Sequence, residues 1–594
     1  MDILISVVAK IAEYTVEPIG RQLGYLFFYN RNIKDLEKQL ENLKTTGEKV
    51  QILVNEEEVI HMKSMTKSRH GCWPKSNVNK VGVYGMGGVG KTKWLDEVKK
   101  LVLENKLFDR VIDVTIGQSN GVVEIQDQIG GKLNMGLNMK AETKEGRATF
   151  LQNKLVEMRE NILILLDDLW NEYDLQKEVG IPCRSESSKE GCKILMTSRS
   201  RHILTNNMNT EKCFKVNSLS EEESWKFFMT IVGEFDKNRI EHMAKNVVKK
   251  CGGLPIALKI IAKALKGKEL RIWKNALEKL EKRVSVKIKG VSDQLYSCLK
   301  LSYDWIEDEE TRLLFLLCSV FPDDHEICAK DLQMYAMGMG LLNEVDNWET
   351  TRNMVIELVD HLKSSSLLLE SNSGDNYVQM HDVVRDVAKY IASNENNMSS
   401  LSYGCGQSEW REKDRYGSYN AIFVDCMDFP NLPKNLEFPN LQMLILRIQT
   451  FFGEGQAIQI PDTFFEGMKK LRVLDMTKMR FESSRTSLTN SLKNLQTLCM
   501  SYCECDDILT IFQLKTLEIL RINGSTIQEL PATMDDLTQL KVLDVSNCSD
   551  LEVIPANLIS SMTKLEELSL WRSFKRGGEE VSYKNELIKN VKLS

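Results

Sequence analysis

The pattern of apolar positions changes twice along the chain. Short, mainly apolar runs begin near residues 81, 111, 162 and 193, with stretches of helical spacing between them, and from residue 220 helical spacing prevails. Strands that alternate with helices predict a doubly wound α/β domain whose ligand crevice lies at the carboxyl ends of parallel strands. From residue 441 leucines recur at a longer distance. The pattern therefore predicts an α/β, a helical and a repetitive region in succession.

The first sixty residues carry apolar positions at helical spacing, and from Ile33 these follow heptads interrupted once at Gly47. This pattern predicts a helical hairpin or coiled coil. It serves either self-association and partner docking or packing on the next domain of the same chain. The apolar first helix also permits membrane-surface binding, although it lacks the basic polar face of such helices. Residues 61–80, where the pattern dissolves, are predicted to be a linker.

The run Val81–Tyr84 leads into a glycine-rich turn with the spacing G-x-x-x-x-G-K-T. In this motif backbone N–H groups surround a phosphate where a helix begins, the lysine contacts the β- and γ-phosphates, and the hydroxyl binds Mg²⁺. Helical spacing downstream fits the motif's strand-turn-helix setting. The predicted phosphate-binding residues are Gly85, Gly87, Gly88, Gly90, Lys91 and Thr92.

Two further strand ends carry charge. The apolar run Ile162–Leu166 ends in Asp167 and Asp168, where Asp167 is a candidate Mg²⁺ ligand and Asp168 a candidate group for activating water. A helix N-cap is the alternative for this pair. The run Lys193–Thr197 leads to Arg199, a candidate γ-phosphate sensor whose alternative is a surface arginine.

The helical region contains local signals for where helices begin. Ser220 and Glu223 have the spacing of a capping box. Pro255, after Gly252-Gly253-Leu254, suits the first turn of a new helix, and that structural role is favoured for it by its missing N–H. Two later helices are predicted over 313–320 and 383–391, the second entered through Met380-His381-Asp382.

The pattern Leu441-x-x-Leu444-x-Leu446 recurs from Leu471, Leu495, Leu517, Leu540 and Leu565. Successive starts lie 22 to 30 residues apart, close to the leucine-rich-repeat period of about 20–29 residues. Each repeat is expected to add a strand to a curved sheet, and stacking buries a core that one repeat cannot form. The concave face is then a candidate recognition surface, while a purely structural solenoid stays an alternative.

Composition adds limits to this picture. The chain has 594 residues, more than one hydrophobic core supports. A formal net charge of -6 provides no basic field, so no nucleic-acid partner is expected. Fourteen cysteines without paired spacing, and no secretory leader, predict reduced thiols in the cytosol.

The phosphate loop, tandem aspartates, strand-end arginine, Gly-Leu-Pro, Met-His-Asp and leucine-rich repeats follow one another in a characteristic order. In this order the chain resembles the plant coiled-coil NB-ARC leucine-rich-repeat disease-resistance proteins. Residues 219–228 and 318–322 also match that family. The region before Gly85 is shorter than is usual there and the repeat region is short, so a truncated form is expected.

The resemblance implies an intracellular immune receptor whose nucleotide-binding module ADP holds closed and ATP opens, with Mg²⁺ as the metal. Gly90, Lys91 and Thr92 would bind phosphates and metal, while the tandem aspartates would serve the metal and at most slow hydrolysis. Pro255 would pack near the adenine. His381 would contact the ADP phosphate and so couple the nucleotide to domain closure.

The resemblance further implies that the repeats bind a pathogen effector or a guarded host protein, and that activation causes self-association. The implied location is cytoplasmic, extending to the plasma membrane if the N-terminal helix of an active oligomer binds there. Two alternatives stay open: a P-loop ATPase that turns over, and a truncated repeat protein that acts as a decoy without nucleotide. The expected domains are 1–60 (shortened coiled coil or helical), 61–80 (linker), 81–215 (P-loop α/β), 216–300 (helical, with Gly-Leu-Pro), 301–400 (winged-helix-like, with Met-His-Asp) and 401–594 (repeats).

Overall fold

The structure is a computed structural model, and it describes a set of residue ranges that is given below. The predicted coiled coil and linker lie outside that set. The described residues are 78–117, 121–135, 143–182, 192–282, 288, 291–322, 325–342, 347–371, 373–395, 399–404, 419–425, 432, 434–447, 458–461, 463–481, 491–504, 508–555, 558–573 and 592–593.

A five-stranded parallel sheet forms the first described region, in the order β2-β3-β4-β1-β5. Its strands are β1 (Lys80–Tyr84), β2 (Arg110–Thr115), β3 (Ile162–Leu169), β4 (Lys193–Ser198) and β5 (Lys212–Lys215). Helices α1 (Lys91–Glu104), α2 (Val122–Lys132) and α3 (Lys144–Glu157) connect them, with one-turn π-helical segments at Leu175–Val179 and Ile203–Asn207. The predicted α/β architecture is confirmed.

The two central strands are the most deeply buried part of this sheet. Every residue of β4 is buried, as is all of β3 except Asp168. Strands of parallel sheets read as continuous apolar runs because both faces are covered. The edge strand β5 was not predicted, because its sequence Lys-Cys-Phe-Lys has only two apolar residues and its ends are exposed.

Helices follow the sheet, as the spacing predicts. They are α4 (Glu221–Val232), α5 (Lys237–Lys250), α6 (Pro255–Leu265), α7 (Leu270–Glu281), α8 (Asp293–Asp304) and α9 (Glu309–Cys318). The capping box is confirmed, since the Glu223 N–H donates to Ser220 Oγ (3.3 Å) and the Ser220 N–H donates to Glu223 Oε2 (2.8 Å). Pro255 is the first residue of α6, as expected from its fixed φ.

Gly253 permits a close approach between the turn before α6 and the segment that precedes α4. Its φ is +68°, and a Cβ there would lie 2.3 Å from the carbonyl oxygen of Leu219. The Leu219 N–H donates to the Gly253 carbonyl oxygen (2.8 Å). Only glycine tolerates both the positive φ and this contact.

A small antiparallel sheet with three helices comes next. Its strand order is β6-β8-β7, with β8 paired to both neighbours. The elements are β6 (Ile327–Cys328), α10 (Ala329–Met339), α11 (Trp348–Ser364), β7 (Leu369–Glu370), β8 (Tyr377–Gln379) and α12 (Asp382–Glu395). These elements lie within residues 301–400, for which the sequence predicts a winged-helix-like domain, and we keep the name winged-helix-like region for residues 327–395.

The repeats form a nine-stranded parallel sheet, with a two-stranded sheet β12-β14 beside it. The long sheet contains β9 (Ser399–Gly404), β10 (Tyr419–Asp425), β11 (Met443–Arg447), β13 (Val473–Thr477), β15 (Thr497–Ser501), β16 (Ile519–Asn523), β17 (Val542–Asp544), β18 (Glu567–Ser569) and β19 (Lys592–Leu593). The other elements are β12 (Ile458–Ile460), β14 (Met479–Phe481), 3-10 helices at Ile508–Gln513 and Ala532–Asp536, and α13 (Leu558–Ser561). The repeat leucines pack in one core, which confirms the repeat prediction.

The face of the repeat sheet opposite the leucine core contacts helix α10. Arg447 Nη2 lies 2.9 Å from the carboxylates of both Asp331 and Asp475 and 2.9 Å from Tyr335 Oη. Arg521 Nη1 donates to Asp331 Oδ1 (2.7 Å). We call these five residues the interface cluster. The winged-helix-like region therefore covers part of the repeat face that the sequence nominates for recognition.

Among the described helices, none combines the length and the apolar character that crossing a membrane requires.

Candidate functional site

The glycine-rich loop after β1 is shaped by close backbone contacts. A Cβ on Gly85 would lie 2.7 Å from the carbonyl oxygen of Val216. Gly90 precedes α1 with φ +101°. No side chain caps α1 and its first turn contains no acidic residue, so the positive end of its dipole is not neutralised locally. Thr92 lies exposed in this first turn, where its hydroxyl is available to a ligand.

Lys91 turns back into the loop that precedes it. Its Nζ donates to the carbonyl oxygens of Gly85 (3.0 Å) and Met86 (3.2 Å), and only 7% of the residue is exposed. Burial lowers the pKa of Lys91 to about 8 against the opposing effect of Asp168. A buried ammonium that donates to two backbone carbonyl oxygens of this loop suits a site that binds an anion.

The loop also packs on the helix that begins at Pro255. A Cβ on Gly88, whose φ is +75°, would lie 2.4 Å from Cγ2 of Ile256. The first turn of α6 therefore lies directly against the phosphate loop. This places Pro255 beside the loop that the sequence assigns to the nucleotide.

The ends of β3 and β4 are joined residue by residue. Thr197 donates its hydroxyl to the Asp167 carboxylate and accepts the Asp168 N–H (2.9 Å). Ser198 Oγ donates to the Leu169 carbonyl oxygen (2.7 Å). Asp168 has φ +55°, which is uncommon outside glycine and needs such support. The backbone that carries the tandem aspartates is thereby fixed by the strand beside it.

Arg199 links the sheet to helix α12. Its Nη2 donates to the Asp382 carboxylate, its Nη1 lies 3.7 Å from Asp386 Oδ2, and its Nε lies 3.8 Å from Asp168 Oδ1. Its guanidinium carbon lies 4.4 Å from the centre of the Trp170 ring. We call these five residues the Arg199 cluster. Only 8% of the Arg199 side chain is exposed, so a single guanidinium connects two regions of the fold inside the protein.

Hydrogen bonding at Arg199 is incomplete. Its Nε and Nη1 groups have no hydrogen-bond acceptor among the described residues. Burial raises the pKa of the neighbouring Asp168 carboxyl, against the opposing charge of Arg199. The Arg199 cluster thus contains two N–H groups, Nε and Nη1, that are available to a ligand. They belong to a guanidinium that stays charged at any physiological pH.

His381 lies immediately before α12. About a third of its side chain is exposed, and its Nδ1 contacts the Asp382 carboxylate. The structure thus places His381 next to the residue that binds Arg199. Within the motif Met380-His381-Asp382, the side chains of His381 and Asp382 contact each other, and Asp382 also binds Arg199 at the end of β4.

Comparisons with known proteins give the family. A model of the NB-ARC domain matches residues 68–238, and a model of a leucine-rich repeat region matches residues 420–592. Disease resistance protein At4g27190 of Arabidopsis thaliana is 31% identical over 522 residues, covering 86% of this chain and 52% of that protein. Probable disease resistance protein At4g27220 of the same plant is 32% identical over 440 residues, covering 73% and 46%. Disease resistance protein RPS5, also from Arabidopsis thaliana, is 29% identical over 501 residues, covering 82% and 54%.

The chain belongs to the NB-ARC leucine-rich-repeat disease-resistance family. It spans about half the length of the curated relatives it matches. Its NB-ARC domain is a P-loop domain, which implies nucleotide binding. The uncapped start of α1 and the buried ammonium of Lys91 both lie at the glycine-rich loop of this domain.

The NB-ARC site contains three functional candidates that the sequence argument did not single out. Trp170 donates to Asp168 and stacks on Arg199, Thr197 holds the tandem aspartates, and Asp386 faces Arg199. Two of these candidates could have been found from sequence proximity. Trp170 follows Asp168 by two residues, and Thr197 precedes Arg199 by two residues. Asp386 has no such signal, since only the folded chain shows that the N-terminal part of α12 faces Arg199 at the end of β4.

The residues present fit an Mg²⁺–nucleotide group by their chemistry. Asp167 supplies a buried carboxylate at a strand end and Thr92 an exposed hydroxyl at the start of α1, and oxygen ligands of this kind suit Mg²⁺. Lys91 and the spare donors of Arg199 suit phosphate oxygens.

Proposed function

We propose that this chain is the nucleotide-controlled switch and repeat portion of a plant disease-resistance receptor. ADP favours the closed arrangement, and exchange for ATP favours an open one that starts defence signalling. The observation that carries the proposal is the bond between Arg199 and Asp382, because it joins the NB-ARC sheet to the winged-helix-like region at the carboxyl end of β4.

A ligand shifts a two-state protein only by the difference between its affinities for the two states. Arg199 lies where the sequence places a γ-phosphate sensor, and its side chain is already bound to Asp382. A γ-phosphate that binds the Nε and Nη1 donors of Arg199 would draw the guanidinium away from Asp382, so the two anions compete for the position of one side chain. ATP weakens the closed contact by this competition, whereas ADP, which lacks the γ-phosphate, leaves it intact.

The remaining site residues take supporting roles in the proposal. Gly85, Gly87, Gly88, Gly90 and Lys91 hold the phosphates, and Thr92 with Asp167 holds Mg²⁺. His381 contacts the ADP phosphate in the closed state and Pro255 lies near the adenine. Asp168 positions a water for hydrolysis slow enough to reset the switch. Mg²⁺, when bound, neutralises phosphate charge.

The repeats bind the activating protein, which is a pathogen effector or a guarded host protein. Part of their concave face is covered by α10 through the interface cluster. We propose a cytoplasmic receptor that self-associates once open. The N-terminal helix then brings the oligomer to the plasma membrane.

The test combines nucleotide identity with one substitution. The parent protein, purified under native conditions, should release ADP on denaturation, as identified by mass spectrometry. Asp382→Val removes the carboxylate that holds Arg199, so this variant should lose labelled ADP faster and should raise cell-death signalling when expressed in leaves.

Asp360→Val is the matched control, because Asp360 lies on α11 with a 61% exposed side chain and pairs with Lys363, three residues along the same helix. This control should behave as the parent does. Equal ADP retention and equal signalling in the parent and Asp382→Val would refute the switch. Multiple turnover at about 1 s⁻¹ or faster, typical of kinases, would instead favour an enzyme.

A further inference from the structure

Trp170 contacts both sides of the Arg199 cluster with different parts of one ring. Its indole Nε1 donates to Asp168 Oδ2 (2.7 Å), and its face carries the Arg199 guanidinium at 4.4 Å. A guanidinium over an indole is the most favourable cation–π pairing with an aromatic side chain. The position of one ring therefore depends on the acid and on the cation together.

The acid and the cation attract each other by charge but form no hydrogen bond with each other. Asp168 Oδ1 lies 3.8 Å from Arg199 Nε, which is beyond hydrogen-bond range. Arg199 in turn is bound at its far end by Asp382. Any movement of Arg199 toward or away from α12 thus acts on Asp168 in two ways, through the charge and through the ring of Trp170, and only the ring donates a hydrogen bond that orients the carboxylate.

The backbone of Asp168 cannot shift in response to a movement of Arg199. Its N–H is held by Thr197, its φ is +55°, and the next residue is held by Ser198. The regular register between β3 and β4 is interrupted between Leu166 and Leu169, so this short segment is fixed by side chains instead of the ladder. Only the carboxylate of Asp168 is free to turn, and the Trp170 N–H determines its direction.

We infer that Trp170 is a positioning residue that transmits the state of the Arg199–Asp382 contact to the Asp168 carboxylate. While Asp382 binds Arg199, the indole N–H occupies Asp168 Oδ2 and keeps that oxygen from holding a water. When Arg199 leaves Asp382, the ring loses its stacked partner and releases the carboxylate. Closure thereby suppresses hydrolysis, an inference that rests on the proposed nucleotide switch.

The experiment uses the full chain with Trp170→Phe, which keeps a ring beneath Arg199 and removes the N–H donor. Single-turnover ATP hydrolysis should rise about tenfold, the effect of losing one hydrogen bond to a charged group. ATP and ADP affinities should stay within twofold of the parent. Trp571→Phe is the matched control, since Trp571 also stacks on an arginine, Arg572, but on the exposed end of the repeats.

A second readout is independent of hydrolysis. Hydrogen exchange of the first-turn amides of α12, measured without nucleotide, should be unchanged in Trp170→Phe, because the stack that holds Arg199 persists. Trp170→Ala removes both contacts, so exchange there should accelerate about tenfold as the Arg199–Asp382 contact loosens. Trp170→Met, apolar and without a donor, should raise hydrolysis as Trp170→Phe does and replaces it if that variant does not fold.

Coupling is measured with a double-mutant cycle. Asp382→Asn should accelerate hydrolysis in the parent but should add nothing in the Trp170→Phe background, because the carboxylate is already released there. Additive effects, or a parent-like hydrolysis rate in Trp170→Phe, would overturn the role of Trp170 while leaving the switch standing. A parent that binds no nucleotide at all would overturn the proposed function, and this inference with it.

Discussion

Removing the Asp331 carboxylate should release the repeats from the winged-helix-like region. Asp331 lies in α10 and accepts from Arg447 (2.9 Å) and Arg521 (2.7 Å) across the interface. Burial works to raise the pKa of Asp331, but the charges and hydrogen bonds of the two arginines outweigh it and hold that pKa below its usual range. The carboxylate is therefore ionised and shared between two cations.

The loss of interface stability in Asp331→Ala depends on which arginine is left without a carboxylate. In Asp331→Ala, Arg447 still has Asp475 at 2.9 Å, whereas Arg521 keeps only Asp544, with its Nε at 3.8 Å. Breaking a buried pair costs about 3–5 kcal/mol when one charge is left unpaired. Since one arginine of two is affected, we expect the lower end, about 3 kcal/mol, for opening of the interface.

The assay is hydrogen exchange of the amides of α10, read as the free energy of opening. A loss of about 3 kcal/mol speeds exchange by about two orders of magnitude. The double variant Asp331→Ala/Arg521→Met should recover most of this loss, because an apolar side chain of similar length needs no counter-charge.

Asp536→Ala is the matched control in the repeats. Asp536 pairs with Lys515 at 3.5 Å, with both side chains more than half exposed, so its loss should change exchange by less than about fivefold. An α10 exchange rate in Asp331→Ala within threefold of the parent would refute the reasoning that this buried carboxylate holds the interface.

Two other outcomes are expected. Lys91→Met should abolish detectable ADP binding, because it removes the ammonium that the loop holds at Gly85 and Met86; parent-like affinity in a titration with labelled ADP would contradict this. Burial lowers the pKa of His325 to about 3, so the folded protein keeps it neutral while the unfolded chain protonates it near pH 6.5. Stability from this group is therefore present above pH 6.5 and is lost as pH falls toward 3, by about 1–2 kcal/mol at pH 5 after allowance for its partial exposure. His325→Phe, which keeps the ring against Phe321 and Phe423, should flatten this part of the urea-unfolding profile, and an unchanged slope between pH 7 and pH 5 would count against it.

Local signals were enough for most of the secondary structure. The capping box at Ser220 and the helix start at Pro255 are confirmed because each depends on backbone geometry within four residues. The repeats are confirmed because a leucine period can bury a core only by stacking. Strands β9 and β10 were missed, since their sequences lack the leucine spacing and their place is set by pairing, of β10 with β11 and of β9 with β10.

Some of the site residues could likewise be predicted from the sequence, whereas their long-range contacts could not. Lys91, Asp167, Asp168 and Arg199 could be nominated from the sequence because a parallel sheet brings strand ends to one edge. The sequence nominated Arg199 for phosphate, but did not indicate that its guanidinium also meets Asp382. That contact spans 183 residues of chain, and no periodicity records a pairing at such separation.

The sequence by itself determined the order of the regions, the phosphate loop and the repeat core, because these depend on short-range spacing and on burial of apolar faces. Only the tertiary structure decided what the charged side chains bind. Asp331 could equally have faced solvent on its helix, and Trp170 could have been an ordinary apolar residue after a strand. Their partners come from elements far along the chain, and charge pairing depends on distance in space.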